Sequence, residues 1–263
     1  MRRRVAVDGR ARGHRRRLRT AVSLPPGRAD PGQFQVRSPA RPAGDHHVPR
    51  RRVRPPALRH SPVVLAKRAA TIDRHSGGWL PLGLGIGWQK EEYAAVGVPY
   101  RDRGRRLGEC VGAMRALWAG GPASYQGRHI SFDGLRSLPG PESEVVPVVL
   151  GGDSDPAVRR AGRIGDGWFP YTIGPEDFSR QAGLLREAGR TEDAVEITVW
   201  TGSFDRARES DPSWVRGFTE AGATRLVIAP RIRGANGLSG PRGLAALRDQ
   251  ADRYRATVLE KLS

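Results

Sequence analysis

Two absences limit what this sequence can encode: it has a single cysteine and no long apolar run. Cys110 is the only cysteine among 263 residues, so no disulfide can form within the chain, which is usual in a reducing cytosol. No apolar run approaches the roughly 18 residues that a membrane-spanning helix needs. No apolar stretch follows the arginine-rich start, so no secretory signal is predicted. We therefore expect a cytoplasmic protein in which Cys110 fills a core position.

Residues 1–58 lack lysine and glutamate, although both residue types are common later in the chain. They hold 16 arginines against 3 aspartates, which gives +13 of the chain's formal net charge of +18. Proline and glycine interrupt each short apolar stretch, so the segment cannot bury enough surface to offset its ordering entropy. We expect residues 1–58 to be disordered or irregular, or to be a shifted reading frame of a GC-rich gene.

The arginine clusters of this segment leave a second interpretation open, which is nucleic-acid binding. Arginines attract phosphate backbones through charge, with a strong dependence on salt. However, no interleaved aromatic residues and no nucleic-acid-binding module accompany them. We therefore favour an inert or shifted segment over a nucleic-acid-binding arm.

Residues 59–263 have the pattern of an α/β domain. Short apolar runs alternate with amphipathic stretches, which is typical of a parallel sheet covered by helices on both faces. The runs predict five strands, near residues 82–86, 146–150, 167–170, 196–201 and 225–229. Between the first two, the sequence predicts a hairpin or excursion loop with Gly127 and Gly134 in turns. Since a closed (β/α)8 barrel needs eight strands, the pattern predicts an incomplete TIM-type barrel with its later five units present.

Glycine-containing turns follow three of these predicted strands: GLGIGW at residues 83–88, GGDS at residues 151–154 and GP at residues 174–175. In parallel α/β folds, ligands bind where a strand ends and the next helix begins. A helix N-terminus offers free N–H groups to an anion, and Ser154 can cap the helix or donate its hydroxyl to a phosphate. Taken alone, each turn is an ordinary connection, and Asp153 and Asp155 place negative charge near the second one.

The motifs taken together resemble the luciferase-like monooxygenase family, and in particular its branch that uses the deazaflavin coenzyme F420. In chain order they are SPVVLAKRAATIDRHSGG, LGLGIGW, EEYAAVGVPYRDRGRRL, YQGRHISFDG, VPVVLGG, AGRIGDGWFP and AGATRLVI. The resemblance covers about residues 58–263. It implies a (β/α)8 barrel that binds F420, or FMN as the alternative, and transfers hydride to or from a small organic substrate or oxygenates it.

The resemblance also implies where the cofactor lies. Its phosphate would bind at the Gly-Gly-x-Ser turn, and the first glycine-rich turn would border the cofactor. No catalytic residue and no metal ligand is predicted for this chain. The predicted cofactor-binding residues are Gly85, Gly87, Trp88, Gly151, Gly152, Ser154 and Gly167.

The chain departs from the family before residue 59, where the first three barrel strands should lie. Residues 1–58 contain none of the apolar runs that such strands need, and we expect these strands to be missing or corrupted. Three functions therefore stay open: an active oxidoreductase, an inactive barrel fragment, or nucleic-acid binding through the arginine-rich segment. We expect a small-molecule substrate and no membrane partner, and a homodimer stays open.

Overall fold

The computed structural model describes residues 19–22, 60–143, 145–188, 195–229 and 240–262. The chain divides into two compact units, one of residues 30–148 and one of residues 149–263 together with residues 1–29. The predicted boundary at residue 58 and the predicted disorder or frame shift lie outside the described residues, except at 19–22. Within the described ranges, no helix combines the length and apolar character that crossing a membrane requires.

A short strand, β1 (Arg19–Val22), lies in the segment where the sequence pattern indicated no strand. It runs parallel to the strand at Arg225–Ile228, with Arg19 opposite Arg225 and Val22 opposite Ile228. This corrects the sequence analysis at four residues. A run of four residues is too short to reveal a two-residue period, and its pairing partner lies about 200 residues further along the chain, beyond the reach of local pattern.

The unit of residues 30–148 is built on a helix pair. Its elements are α1 (Pro62–His75), β2 (Leu82–Leu84), α2 (Lys90–Ala95), α3 (Arg103–Trp118), β3 (Pro122–Gln126) and β4 (Ser131–Arg136). Ser61 precedes α1, and Pro62 occupies the first helical position, where its missing N–H costs nothing. Alanines on the buried face of α1 allow α3 to approach closely, and the Trp118 indole N–H donates to the Ala66 carbonyl at 3.0 Å.

The hairpin of β3 and β4 is antiparallel, as the sequence predicts, but its two glycines differ in role. The turn closes where the Gly127 N–H donates to the Ile130 carbonyl at 2.8 Å. Gly134 lies inside β4 instead of in a turn, with φ of 61°, where the register shifts opposite Ser124. Gly134 therefore forms a bulge, because an extra residue in one strand needs a conformation that glycine adopts most easily.

The unit that contains residues 149–263 alternates strands and helices. Its elements are β5 (Val148–Gly151), α4 (Asp155–Ile164), β6 (Gly167–Phe169), α5 (Pro175–Glu187), β7 (Glu196–Trp200), α6 (Pro212–Glu220), β8 (Arg225–Ile228) and α7 (Gly240–Thr257). The strands pair in parallel in the order β1-β8-β7-β6-β5.

All five predicted strands are present, and each matches its predicted bounds within two residues. The strands that the structure describes do not close into a barrel. The prediction of an incomplete (β/α) barrel is therefore confirmed.

An aromatic stack fixes the helices of this unit against the sheet. Trp168 on β6, Phe178 on α5 and Phe218 on α6 are fully buried. The Trp168 and Phe178 ring centroids lie 5.4 Å apart, and those of Phe178 and Phe218 lie 5.3 Å apart. Each such pair contributes about 0.5–1.5 kcal/mol beyond its burial. The stack therefore holds α5 at a fixed position beside the end of β6.

Candidate functional site

The GGDS turn joins β5 to α4 at the carboxyl end of the parallel strands. Gly151 is the last residue of β5 and pairs with Phe169, while Ser154 is the cap residue before α4. The carboxyl end of a parallel sheet is where ligands of such folds bind. Three of the predicted cofactor-binding residues, Gly151, Gly152 and Ser154, are therefore adjacent in one turn.

Gly152 is in a conformation that other residues rarely adopt. Its φ is +120°, and a Cβ placed on it would lie 2.8 Å from the Cβ of Ala157 in the first turn of α4. Both the backbone angle and the contact require glycine. The chain can therefore reverse tightly over the start of the helix.

Three successive carbonyl oxygens of the turn, those of Gly152, Asp153 and Ser154, accept hydrogen bonds from the protein. Trp168 and Gln181, the side-chain donors, are both buried, so the first two carbonyls point inward. The donors are, in order, Trp168 Nε1 at 2.8 Å, Gln181 Nε2, and the backbone N–H groups of Ala157 and Val158 at 2.8 and 3.0 Å.

The direction of these carbonyls determines the direction of the next three N–H groups. In a trans peptide the N–H points opposite to the C=O, and none of these bonds is cis. The N–H groups of Asp153, Ser154 and Asp155 therefore point outward, and no acceptor among the described residues takes them. Consecutive outward N–H groups at the start of a helix make an anion-binding surface.

Side chains around the turn adjust its charge. The exposed Ser154 side chain makes no capping hydrogen bond, so its hydroxyl is available to a ligand. The Asp155 carboxylate would repel an anion, but it is paired with Arg180 of α5 at 2.9 Å. One of the two carboxylates that the sequence places beside Ser154 is therefore paired with a residue 25 positions away.

Gly167 lies inside the sheet, as the first residue of β6. It is buried, and a Cβ would lie 3.0 Å from Val149 Cγ2 and 3.2 Å from the Glu196 carbonyl on the neighbouring strands. This close strand packing accounts for the glycine. A cofactor contact of Gly167 stays a prediction, whereas the following residue, Trp168, bonds directly to the turn.

The first glycine-rich turn lies in the other unit, between β2 and α2. Gly85 is exposed with open space around it, and Gly87 has φ of 72°. The Tyr100 hydroxyl donates to the Trp88 carbonyl at 3.1 Å, which holds the turn while the Trp88 residue remains 61% exposed. An exposed indole can stack on an aromatic ring. The cofactor contacts of these three residues stay predictions.

The sequence analysis missed Trp168, Gln181 and Arg180 as parts of the turn. Trp168 directly follows the GDG motif, and that position was the one available signal. Gln181 and Arg180 lie on α5, and only the packing of α5 beside α4 brings them to the turn.

The unit of residues 30–148 buries the titratable side chains of Cys110 and Asp73. Burial raises the pKa of Cys110 to about 12, so its thiol is unreactive, in agreement with the predicted core position.

Asp73 is buried at the end of α1. Its carboxylate accepts from the Leu80 and Glu142 N–H groups at 3.3 and 2.9 Å and from the Ser143 N–H and hydroxyl at 3.2 and 2.9 Å. Burial acts to raise its pKa, but these hydrogen bonds outweigh burial and lower it.

The sequence profile of the luciferase-like monooxygenase family matches residues 53–218, which is more than half of the chain. The chain belongs to this family, as the motifs indicated. The match begins within the arginine-rich segment, continues through the GGDS turn and the GDGW motif, and ends within α6.

Relatives with similar sequences include an uncharacterized protein of Mycobacterium tuberculosis, 33% identical over 143 residues, or 53% of this chain and 47% of that protein. The pyrimidine monooxygenase RutA of Variovorax paradoxus is 33% identical over 137 residues, or 49% of this chain and 37% of the enzyme. The matched region spans less than half the length of these relatives.

Solved structures with a similar fold include the coenzyme F420-dependent tetrahydromethanopterin reductase of Methanopyrus kandleri. The TM-score is 0.58 at 15% identity, and the match covers 78% of this chain and 80% of that one. The EDTA monooxygenase of Chelativorans gives a TM-score of 0.54 at 15% identity, with 77% and 74% covered. At these identities the likeness concerns the fold.

Proposed function

We propose that this chain is a flavin- or deazaflavin-dependent oxidoreductase, with coenzyme F420 as the first candidate cofactor and FMN as the alternative. The observation that carries the proposal is the row of outward N–H groups of Asp153, Ser154 and Asp155 beside the free Ser154 hydroxyl. Both cofactors carry a phosphoryl group, and this row offers it donors at a helix N-terminus. Membership of the luciferase-like family supports the choice of a flavin-type cofactor.

The residues of the turn fit a phosphoryl group in both shape and charge. Gly152 brings the backbone close without a side chain, and Arg180 pairs with the Asp155 carboxylate. When bound, the cofactor supplies hydride-transfer or oxygenation chemistry, while the protein binds and orients it. The similar proteins include both a reductase and monooxygenases, which supports oxidoreductase chemistry on a small organic substrate.

The test compares cofactors with and without the phosphoryl group. The full chain is titrated with FMN and riboflavin, and with F420 and its phosphate-free chromophore, by fluorescence. We expect each phosphorylated form to bind at least about tenfold more tightly, which corresponds to about 1.4 kcal/mol. Equal affinities within both pairs would show that the turn does not bind the phosphoryl group.

A substitution in the turn tests whether the turn causes the preference for phosphorylated cofactors. Ser154→Asp places a carboxylate among the outward N–H groups, and it should abolish the preference for FMN over riboflavin. Ser154→Ala is the matched control, because it removes only the hydroxyl and should weaken FMN binding a few-fold. Unchanged affinity of Ser154→Asp for FMN would exclude this turn from the site.

A second candidate function is a cofactor-binding fragment without catalytic activity. It is favoured by the strand arrangement, because the described strands do not close into a barrel. Cofactor absorbance during incubation with candidate substrates separates the two. An oxidoreductase changes the absorbance in a substrate-dependent way, whereas a fragment binds the cofactor and leaves its absorbance constant.

A further inference from the structure

Gln181 has an unusual environment for a glutamine. It lies on α5 with 4% of its surface exposed, and its Nε2 donates to the Asp153 carbonyl. Its Oε1 is also buried and has no hydrogen-bond partner among the described residues. A half-satisfied amide in the core is costly, and an apolar residue would avoid that cost. Within the described part of the chain, the hydrogen bond to the Asp153 carbonyl is the one interaction that a glutamine makes here and an apolar residue could not.

That bond determines which way one peptide unit faces. The Asp153 carbonyl and the Ser154 N–H belong to the same peptide plane and point in opposite directions. If this peptide rotated by half a turn, the carbonyl oxygen would face outward and would repel an anion. Trp168 holds the preceding peptide in the same way, through the Gly152 carbonyl.

We infer that Gln181 is a positioning residue for a phosphoryl anion, because it keeps the Ser154 N–H turned toward the ligand. The inference rests on the proposed function of the turn. It adds that α5, which contributes no atom to the row of N–H groups, sets the preference of the turn for phosphorylated ligands.

The test replaces Gln181 with a residue of similar side-chain volume that has no hydrogen-bond donor. In Gln181→Met the side chain has a similar length but cannot hold the Asp153 carbonyl. We expect affinity for FMN to fall about tenfold, which corresponds to about 1.4 kcal/mol, while affinity for riboflavin is unchanged. We also expect Gln181→Met to unfold at the same or a higher temperature, because the unpartnered Oε1 is gone. A purely structural residue would lower the unfolding temperature and both affinities together. Gln181→Leu is the second variant should Gln181→Met not fold.

Gln250→Met is the matched control. Gln250 on α7 also donates its side-chain N–H to a loop carbonyl, that of Ala229, at 2.9 Å. Because this bond lies at the end of β8, its loss should leave the ratio of FMN to riboflavin affinity unchanged. If wild type prefers FMN to riboflavin, a folded Gln181→Met variant that keeps the wild-type ratio would overturn the inference.

Inorganic phosphate separates failure of this inference from failure of the proposed function. Amide chemical shifts of Asp153, Ser154 and Asp155 are followed by NMR during a phosphate titration of wild-type protein and Gln181→Met. A Ser154 shift that is lost in the variant supports the inference even if FMN and riboflavin bind equally. Shifts that persist unchanged in the variant overturn the inference alone. No shift in the wild type overturns both.

Discussion

At the residue scale, Asp73 illustrates how a buried carboxylate can serve structure rather than chemistry. Four hydrogen bonds from three residues occupy it, and they join the end of α1 to the segment that leads toward β5. A catalytic acid or base needs a lone pair or proton that faces a ligand. Asp73 is therefore better understood as a link between two segments of the chain.

Asp73 should make the free energy of unfolding depend on pH in the acid range. Its folded pKa lies below the ordinary value, so its contribution is present above about pH 4 and is lost as the pH falls through the folded pKa. In Asp73→Asn, this part of the acid dependence should disappear. The variant should also be less stable at pH 7 by about 1–3 kcal/mol, because an amide N–H would face the donors. Urea unfolding between pH 7 and pH 3 measures both effects.

Asp249→Asn is the control for this experiment. Asp249 is an exposed carboxylate on α7 that pairs with Arg253 one turn later. Surface pairs of this kind contribute little, so its loss should leave the acid dependence at the wild-type value. Parallel pH profiles for wild type and Asp73→Asn would contradict the assigned role of Asp73.

At the scale of elements, the sequence was most informative where a pattern repeats. Alternating apolar runs located five strands within two residues, because burial on both faces leaves a continuous apolar signal. Gly134 was assigned wrongly, since a glycine in a bulge and a glycine in a turn look alike in sequence. Gln181 and Arg180 could not be found, because their contacts with the turn depend on how α5 packs beside α4.

Arg180 on α5 should influence anion binding through charge alone. In Arg180→Gln, Asp155 loses its partner, and affinity for FMN should fall about threefold at low salt. The difference should shrink at about 1 M salt, where charges are screened beyond about 3 Å. Arg159→Gln is the control, because Arg159 pairs with Glu187 across the same two helices, at 3.7 Å. If both variants bind FMN alike at low salt, the Asp155 charge is irrelevant to the turn.

At the scale of the whole molecule, the strand β1 changes how the arginine-rich segment must be viewed. The composition and charge of residues 1–58 leave two interpretations open, an inert or shifted segment, which we favour, and a nucleic-acid-binding arm. Residues 19–22 nevertheless pair with β8, so part of this segment belongs to the sheet. Charge and strand pairing are separable, because eight of the arginines precede residue 19.

Two truncations distinguish the effect of the positive charge from the effect of the pairing between β1 and β8. Removing residues 1–18 takes away charge and keeps β1, and it should leave the unfolding temperature unchanged. Removing residues 1–22 exposes the edge of β8, which loses its paired N–H and C=O groups and becomes available to another chain. We expect this variant to unfold several degrees lower, since about 1 kcal/mol shifts the midpoint by about 2–4 °C at this chain length. It should also self-associate, as light scattering would detect.

The same pair of truncations tests the nucleic-acid interpretation. If the arginines bind nucleic acid, wild type should bind a DNA duplex in a salt-dependent way. Both truncations should weaken that binding, the longer one slightly more because it also removes Arg19. If the segment acts through the pairing of β1 with β8, only the longer truncation should lower the unfolding temperature. DNA affinity should then not change in parallel with the unfolding temperature. Equal unfolding temperatures for the two truncations would mean that the pairing of β1 with β8 contributes nothing. The segment would then contribute to the molecule only through its charge.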